Sequence, residues 1–140
     1  MLIPTEIVSL SNMRVSQISA GESHCAAITQ AGKVYLWGNG SYGRLGTGFE
    51  FQENAPFLVD DLSDKNIVKV SCGAFHTFVL SRDGSIYGFG QNKYGKLGLN
   101  VRQENTVFRS THVKIVPYRI SSQNNDEKIR IEEETKAKFR

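Results

Sequence analysis

The sequence predicts an all-β chain made of antiparallel four-stranded propeller blades, about two of them, and hence an incomplete propeller. Three observations carry that expectation. Residues 18–46 recur as residues 70–98, displaced by 52 positions without a gap. Each copy divides into short apolar or alternating runs separated by glycine turns, four runs in about 50 residues, which is the sequence size of one propeller blade. Helical periodicity is nearly absent from residues 1–120.

The elements follow in order. Val15 to Ser19 alternates apolar and polar, as does Val68 to Ser71, and Gly21 or Gly73 then breaks the pattern. Cys25 to Thr29 and Thr77 to Ser81 are nearly continuous in apolar or β-branched residues, the pattern of a strand buried on both faces. Ala31-Gly32 and Asp83-Gly84 supply hairpin turns. Val34 to Trp37 and Ile86 to Phe89 return, and the glycine-rich stretch from Gly38 to Gly48 ends the first of them. Pro56 to Val59 is the expected fourth strand, its proline favouring a strand start or an edge. Thr111 to Val116 serves as the last strand of the second unit, and Ile3 to Val8 as the last strand of a missing preceding blade. The expected organisation is therefore two units, about 4–55 and 56–116, within a domain at 1–120. Both ends of the pair should present unpaired strand edges. Self-assembly, a larger partner or further blades of a longer propeller would cover them. Residues 121–140 hold five basic and five acidic side chains and read as a disordered or partner-ordered tail.

Composition narrows the function. The 140 residues include 17 Lys and Arg against 14 Asp and Glu, a net +3 with no basic cluster, so direct nucleic-acid binding is not expected. No run reaches the roughly 18 apolar residues of a membrane-spanning helix. The first residues lack the basic and apolar regions of a secretory signal, which points to an intracellular chain, cytoplasmic or nuclear, with a ciliary or cytoskeletal place also open. Cys25 and Cys72 form no C-x-x-C pair and read as small buried hydrophobes.

His24 and His76 are the natural suspects for proton transfer or metal ligation, yet they occupy one repeat position. A residue required once per unit reads as a structural hydrogen-bonder. His112 has no Asp, Glu or Cys at ligand spacing, so neither a metal nor a catalytic triad is expected. Gly38 to Gly43 spells G-x-G-x-x-G, but no helix follows and Gly40 becomes Asn92 in the second unit, so no dinucleotide or other cofactor is expected. Ten of the 13 glycines fall in matched pairs, Gly21 with Gly73 and Gly38 with Gly90 among them, and these answer to repeated backbone geometry. Trp37 and Phe89 share one repeat position and are expected to pack in the core or between blades. Tyr42, Arg44, Lys93, Tyr94 and Lys96 lie in the glycine-rich loops, where a rigid scaffold commonly carries recognition.

The wording of the repeat also carries a family resemblance. G-x-x-H before an apolar strand, then D-G-x-[VI]-Y-x-[WF]-G, then a loop closing on Y-G-x-L-G, resembles the repeat of the regulator of chromosome condensation family over about residues 4–107. Ala31 stands where that pattern favours Asp, and Arg44 and Lys96 where it commonly has Gln. The resemblance implies seven-bladed propellers and a range of roles: a nucleotide exchange factor for a small nuclear GTPase at chromatin, parts of ubiquitin ligases, and ciliary or trafficking scaffolds. Exchange on a GTPase is disfavoured, because the loops at 47–55 and 99–107 are too short for the wedge that the family's exchange factor inserts, and its basic arm is missing. The expectation is a noncatalytic protein–protein interaction module whose partner is another protein or other copies of itself. A structural subunit completing a larger propeller or assembly is the alternative.

Overall fold

The computed structural model describes residues 3–93, 97 and 106–113. Strands β1 (Val15–Ala20), β2 (His24–Thr29), β3 (Val34–Gly38) and β4 (Glu53–Leu58) form one antiparallel sheet in sequence order. Strands β5 (Ile67–Cys72), β6 (His76–Ser81), β7 (Ile86–Gln91) and β8 (Thr106–Val113) form a second sheet of the same order. The register repeats with the sequence: His24 lies opposite Gly38 and His76 opposite Gly90. This is the all-β, open two-blade architecture that the repeat predicts.

Local chemistry sets the turns. In the second unit Asp83 Oδ1 accepts from the Ser85 amide at 2.9 Å and from the Ser81 hydroxyl, closing the β6–β7 hairpin around Gly84 at φ +90°. Ala31 cannot do this, and Thr29 Oγ1 takes the Lys33 amide in its place at 3.2 Å. The end of the third strand is more demanding. Gly90 holds φ +113°, and a Cβ there would sit 2.5 Å from the Phe75 carbonyl oxygen. Its successor Gln91 donates to that same carbonyl at 2.8 Å, so the close approach is built into the blade.

One hydrophobic cluster runs through both sheets, with Ala26, Ile28 and Leu36 of the first and Val70, Val79 and Phe89 of the second among its members. Hydrogen bonds reinforce the contact of β1 with β5: the Val70 amide donates to Gln17 Oε1 at 2.9 Å and the Cys72 amide to Ser19 Oγ at 3.1 Å.

Three expectations are corrected. Residues 3–7 are not a strand; Val8–Leu10 form a 3-10 turn, and among the described residues this segment pairs with no strand of either sheet. What the first sheet leaves bare is therefore chiefly a face. The fourth strand begins at Glu53, not Pro56, because a register shift between Leu36 and Gly38 lets Asn54, Ala55 and Pro56 bulge opposite Trp37, where the proline needs no ladder hydrogen bond. The last strand likewise begins at Thr106, ahead of Thr111, with the same bulge between Gly88 and Gly90. Residues 114–116 and the tail lie outside the described residues.

Two alanine substitutions separate backbone strain from backbone collision. Gly84→Ala meets nothing within 4 Å and carries only its positive φ, an expected loss of about 1 kcal/mol. Gly90→Ala adds the clash with Phe75 and His76 and should cost about 3 kcal/mol or more in urea denaturation. Equal losses would refute the turn geometry.

Candidate interaction surface

The loop after β3 does not stay with its own sheet. Gly43 and Gly46 hold left-handed φ of 71° and 66°, which steer residues 41–48 across onto the second sheet. The Gly48 amide donates to the Phe108 carbonyl at 2.9 Å, Thr47 bridges to Arg109, and Gly46 lies against the Phe89 ring.

Arg44 is the anchor of that crossing. The residue is 2% exposed; Nε donates to the Ser41 carbonyl at 2.9 Å, and Nη1 to Ser23 Oγ and the Ala74 carbonyl, each at 2.8 Å. Its Cζ lies 4.9 Å from the centre of the Phe75 ring. The Thr77 hydroxyl donates to the Arg44 carbonyl at 2.7 Å, which uses its one proton. His24 Nε2, 2.8 Å from Thr77 Oγ1, must then be the donor of that bond. The network assigns His24 the neutral Nε2–H tautomer, with Nδ1 buried and unpartnered. Burial first, then the Arg44 charge, then His76, lower its pKa from 6.5 to about 4.

The sequence-selected residues thus divide. His24, Arg44, Gly21 and Gly73 meet at the junction of the two sheets, where a Cβ on Gly21 would strike the Gly73 carbonyl. Arg44, placed with the loop residues as a partner contact, is instead buried, because the loop carrying it folds onto the neighbouring sheet. Phe89 is fully buried under that loop, whereas its counterpart Trp37 is only half-buried. Gly38 and Gly90 end β3 and approach the end of β7 respectively; His76 stacks edge-on against Phe78 at 5.6 Å. Lys93 is exposed at the start of the second loop, and Tyr94 and Lys96 lie outside the described residues.

Two aromatic side chains that the repeat did not single out join Tyr42 to form the surface. Phe49 and Phe51 stack with ring centres 5.3 Å apart, 54% and 68% exposed. Glu50 between them accepts from the Tyr42 amide at 3.0 Å, and the exposed Tyr42 ring packs edge-on against Phe75 at 5.4 Å. The corresponding stretch of the second unit, residues 95–107, holds no aromatic residue, so blade geometry does not require aromatics there. That failure to repeat is the signal by which the sequence could have disclosed them.

Acid chemistry at this site is limited. Burial pushes the Cys72 thiol up to about 11, so it stays protonated at neutral pH. Among the described residues no three His, Cys, Asp or Glu side chains converge on a metal position, and no helix is long and apolar enough to cross a membrane.

The buried imidazole makes stability depend on pH. Unfolded His24 takes up its proton near 6.5 and the folded residue only near 4, so acidification within that window favours the unfolded chain. The expected loss approaches about 1.4 kcal/mol per pH unit from this group alone. Urea midpoints should fall from pH 7 to pH 4.5, and His24→Gln, whose amide can still donate to Thr77, should flatten that fall while costing some stability at pH 7.

The chain matches the Regulator of chromosome condensation (RCC1) repeat at residues 31–80 and 83–131, and a second form of the same repeat at residues 15–44 and 67–96. It is 39% identical over 106 residues to rat "Probable E3 ubiquitin-protein ligase HERC4", covering 75% of this chain and 10% of that protein. With the "Ultraviolet-B receptor UVR8" of Arabidopsis thaliana it shares 35% identity over 119 residues, 85% of this chain and 25% of the receptor. Yeast RCC1 (Prp20), solved bound to Kap60, superimposes on 84% of the chain with a TM-score of 0.67 at 18% identity, using 27% of that structure. The chain therefore spans between a tenth and about a quarter of these proteins. It belongs to the family of Regulator of chromosome condensation (RCC1) repeats.

Proposed function

We propose that the chain is a noncatalytic protein-interaction module, with Tyr42, Phe49 and Phe51 as its contact surface. The observation that carries this is the stacked, exposed Phe49–Phe51 pair on a loop whose base is pinned by buried Arg44. A solvent-facing aromatic pair that the repeat does not need is costly to leave bare, and aromatics held on a rigid support are the residues that dominate protein interfaces. The relatives support the same reading: a ligase, a light receptor and a protein solved in complex with another share the repeat while differing in what their names describe. What they hold in common at this region is a scaffold for contacts.

The test compares proteins retained from cell extract by the wild-type chain and by Phe49→Ala/Phe51→Ala. Both rings are exposed, so melting should change little, while a specifically retained partner should bind at least tenfold more weakly, the effect of losing roughly 1.4 kcal/mol or more. Undiminished retention would overturn the assignment of the surface. A turnover lost on His24→Ala without loss of folding would overturn the noncatalytic reading.

A further inference from the structure

Asn39 is the only asparagine of the chain that a glycine follows, and the second unit has Gln91-Asn92 in the place of Asn39-Gly40. Blade geometry therefore does not ask for the pair. Asn39 stands exposed at the foot of the loop that carries Phe49 and Phe51. Its amide donates to the Ser23 carbonyl at 2.8 Å, and its Oδ1 accepts from the Ser41 amide at 2.8 Å, which closes a turn through the side chain. Such a turn folds the side-chain carbonyl back along the peptide that joins residues 39 and 40. Among the described residues the Gly40 amide, between those two, donates to no acceptor. A nitrogen without a competing hydrogen bond thus lies beside a carbonyl that a fixed donor polarises. Gly40 also belongs to the packing of the loop, since a Cβ there would strike the Phe51 carbonyl oxygen.

We infer that Asn39-Gly40 is a site of spontaneous covalent modification, at which the chain converts Asn39 to isoaspartate and aspartate and so loosens its own aromatic loop. The Gly40 nitrogen gives up its proton to solvent base and attacks Asn39 Cγ. A C–N bond forms, the Ser41 amide holds the oxygen as it gains negative charge, and the bond from Cγ to the side-chain nitrogen breaks. That nitrogen takes a proton from water and departs as ammonia, leaving a five-membered succinimide. Water then opens the ring: addition at Cγ gives aspartate, and addition at the main-chain carbonyl gives isoaspartate. No carbon changes oxidation state in either step. Glycine opens the way to the first, because no side chain crowds its nitrogen and its backbone can turn to meet Cγ. In isoaspartate the main chain runs through Cβ and Cγ, one carbon longer, and the side-chain turn is lost. That turn places Ser41, whose carbonyl accepts from Arg44 Nε at 2.9 Å, and Gly40, against which the Phe51 carbonyl packs. Conversion therefore reaches the Arg44 anchor and the aromatic pair together. Release of a partner from older molecules would follow, a consequence that rests on the proposed function as the chemistry does not.

Trypsin, cutting after Lys33 and Arg44, isolates residues 34–44 for mass spectrometry. The full chain is held in warm, slightly alkaline buffer made with heavy-oxygen water, folded and in urea. In the folded chain residues 34–44 should exchange an amide NH2 for a hydroxyl carrying the solvent's oxygen, with the isoaspartyl form in excess, at a rate within about tenfold of that in urea. Asn39→Ser, which keeps an oxygen for the Ser41 amide but has no group to expel, should not convert. Cleavage by chymotrypsin at Phe49 and Phe51 should quicken about fivefold or more in the aged wild-type chain and stay unchanged in aged Asn39→Ser. Conversion more than about tenfold slower in the folded chain than in urea would overturn the inference, as would aspartate without isoaspartate, or unchanged cleavage of the converted chain. None of these readouts involves a partner, so a failure of the contact-surface reading shows separately, as retention that does not depend on Phe49 and Phe51.

Discussion

The structure depends on one buried polar junction, in which Arg44, Thr77 and His24 fix how two sheets that share a hydrophobic cluster face each other. Backbone ladders hold each sheet internally, but nothing in a ladder says how one sheet faces the next. Arg44 settles this because its loop leaves the first sheet and its donors end on both: Ser41 and Ser23 on one side, Ala74 on the other. A guanidinium taken out of water is costly unless its donors are used, and losing any partner leaves a buried group unpaired at about 1–3 kcal/mol. That penalty gives the junction one acceptable arrangement. Thr77 completes it by donating to the Arg44 backbone while accepting from His24.

Much else follows from the pinned loop. Gly46 can reach the Phe89 ring because the loop is drawn over β7, and Tyr42 can meet Phe75 because Arg44 lies over the same ring. The segment just beyond, with Phe49 and Phe51, then leaves the second sheet and turns its aromatics outward. The fold and the proposed surface are consequences of the same crossing. The fixed base lowers the conformational entropy that a partner would have to remove on binding those rings.

The repeated sequence made the strands, the hairpins and their register legible, because alternation, Asp83-Gly84 and the paired glycines act over a few residues. It was less informative wherever a residue answered to the neighbouring sheet. Arg44 read as a partner-contacting loop side chain, since nothing near it in sequence indicates the Ala74 carbonyl or the Phe75 ring. Residues 3–7 looked like a strand because their counterparts form one, yet a strand also needs a partner beside it. Phe49 and Phe51 were passed over because attention fell on what repeats, and their significance lies in not repeating.

The sequence alone determined a doubled all-β unit, the positions of its turns and the family to which it is similar, because these rest on local backbone preferences written twice in one register. The tertiary structure decided which side of each unit is covered, that Arg44 and His24 are interior groups, and that the open surfaces are an aromatic loop and an apolar sheet face. Identical local geometry at Val8–Leu10 and Asp60–Leu62 ends in different burial, since water is excluded from a side chain by whatever packs on it, and that is a property of the neighbour.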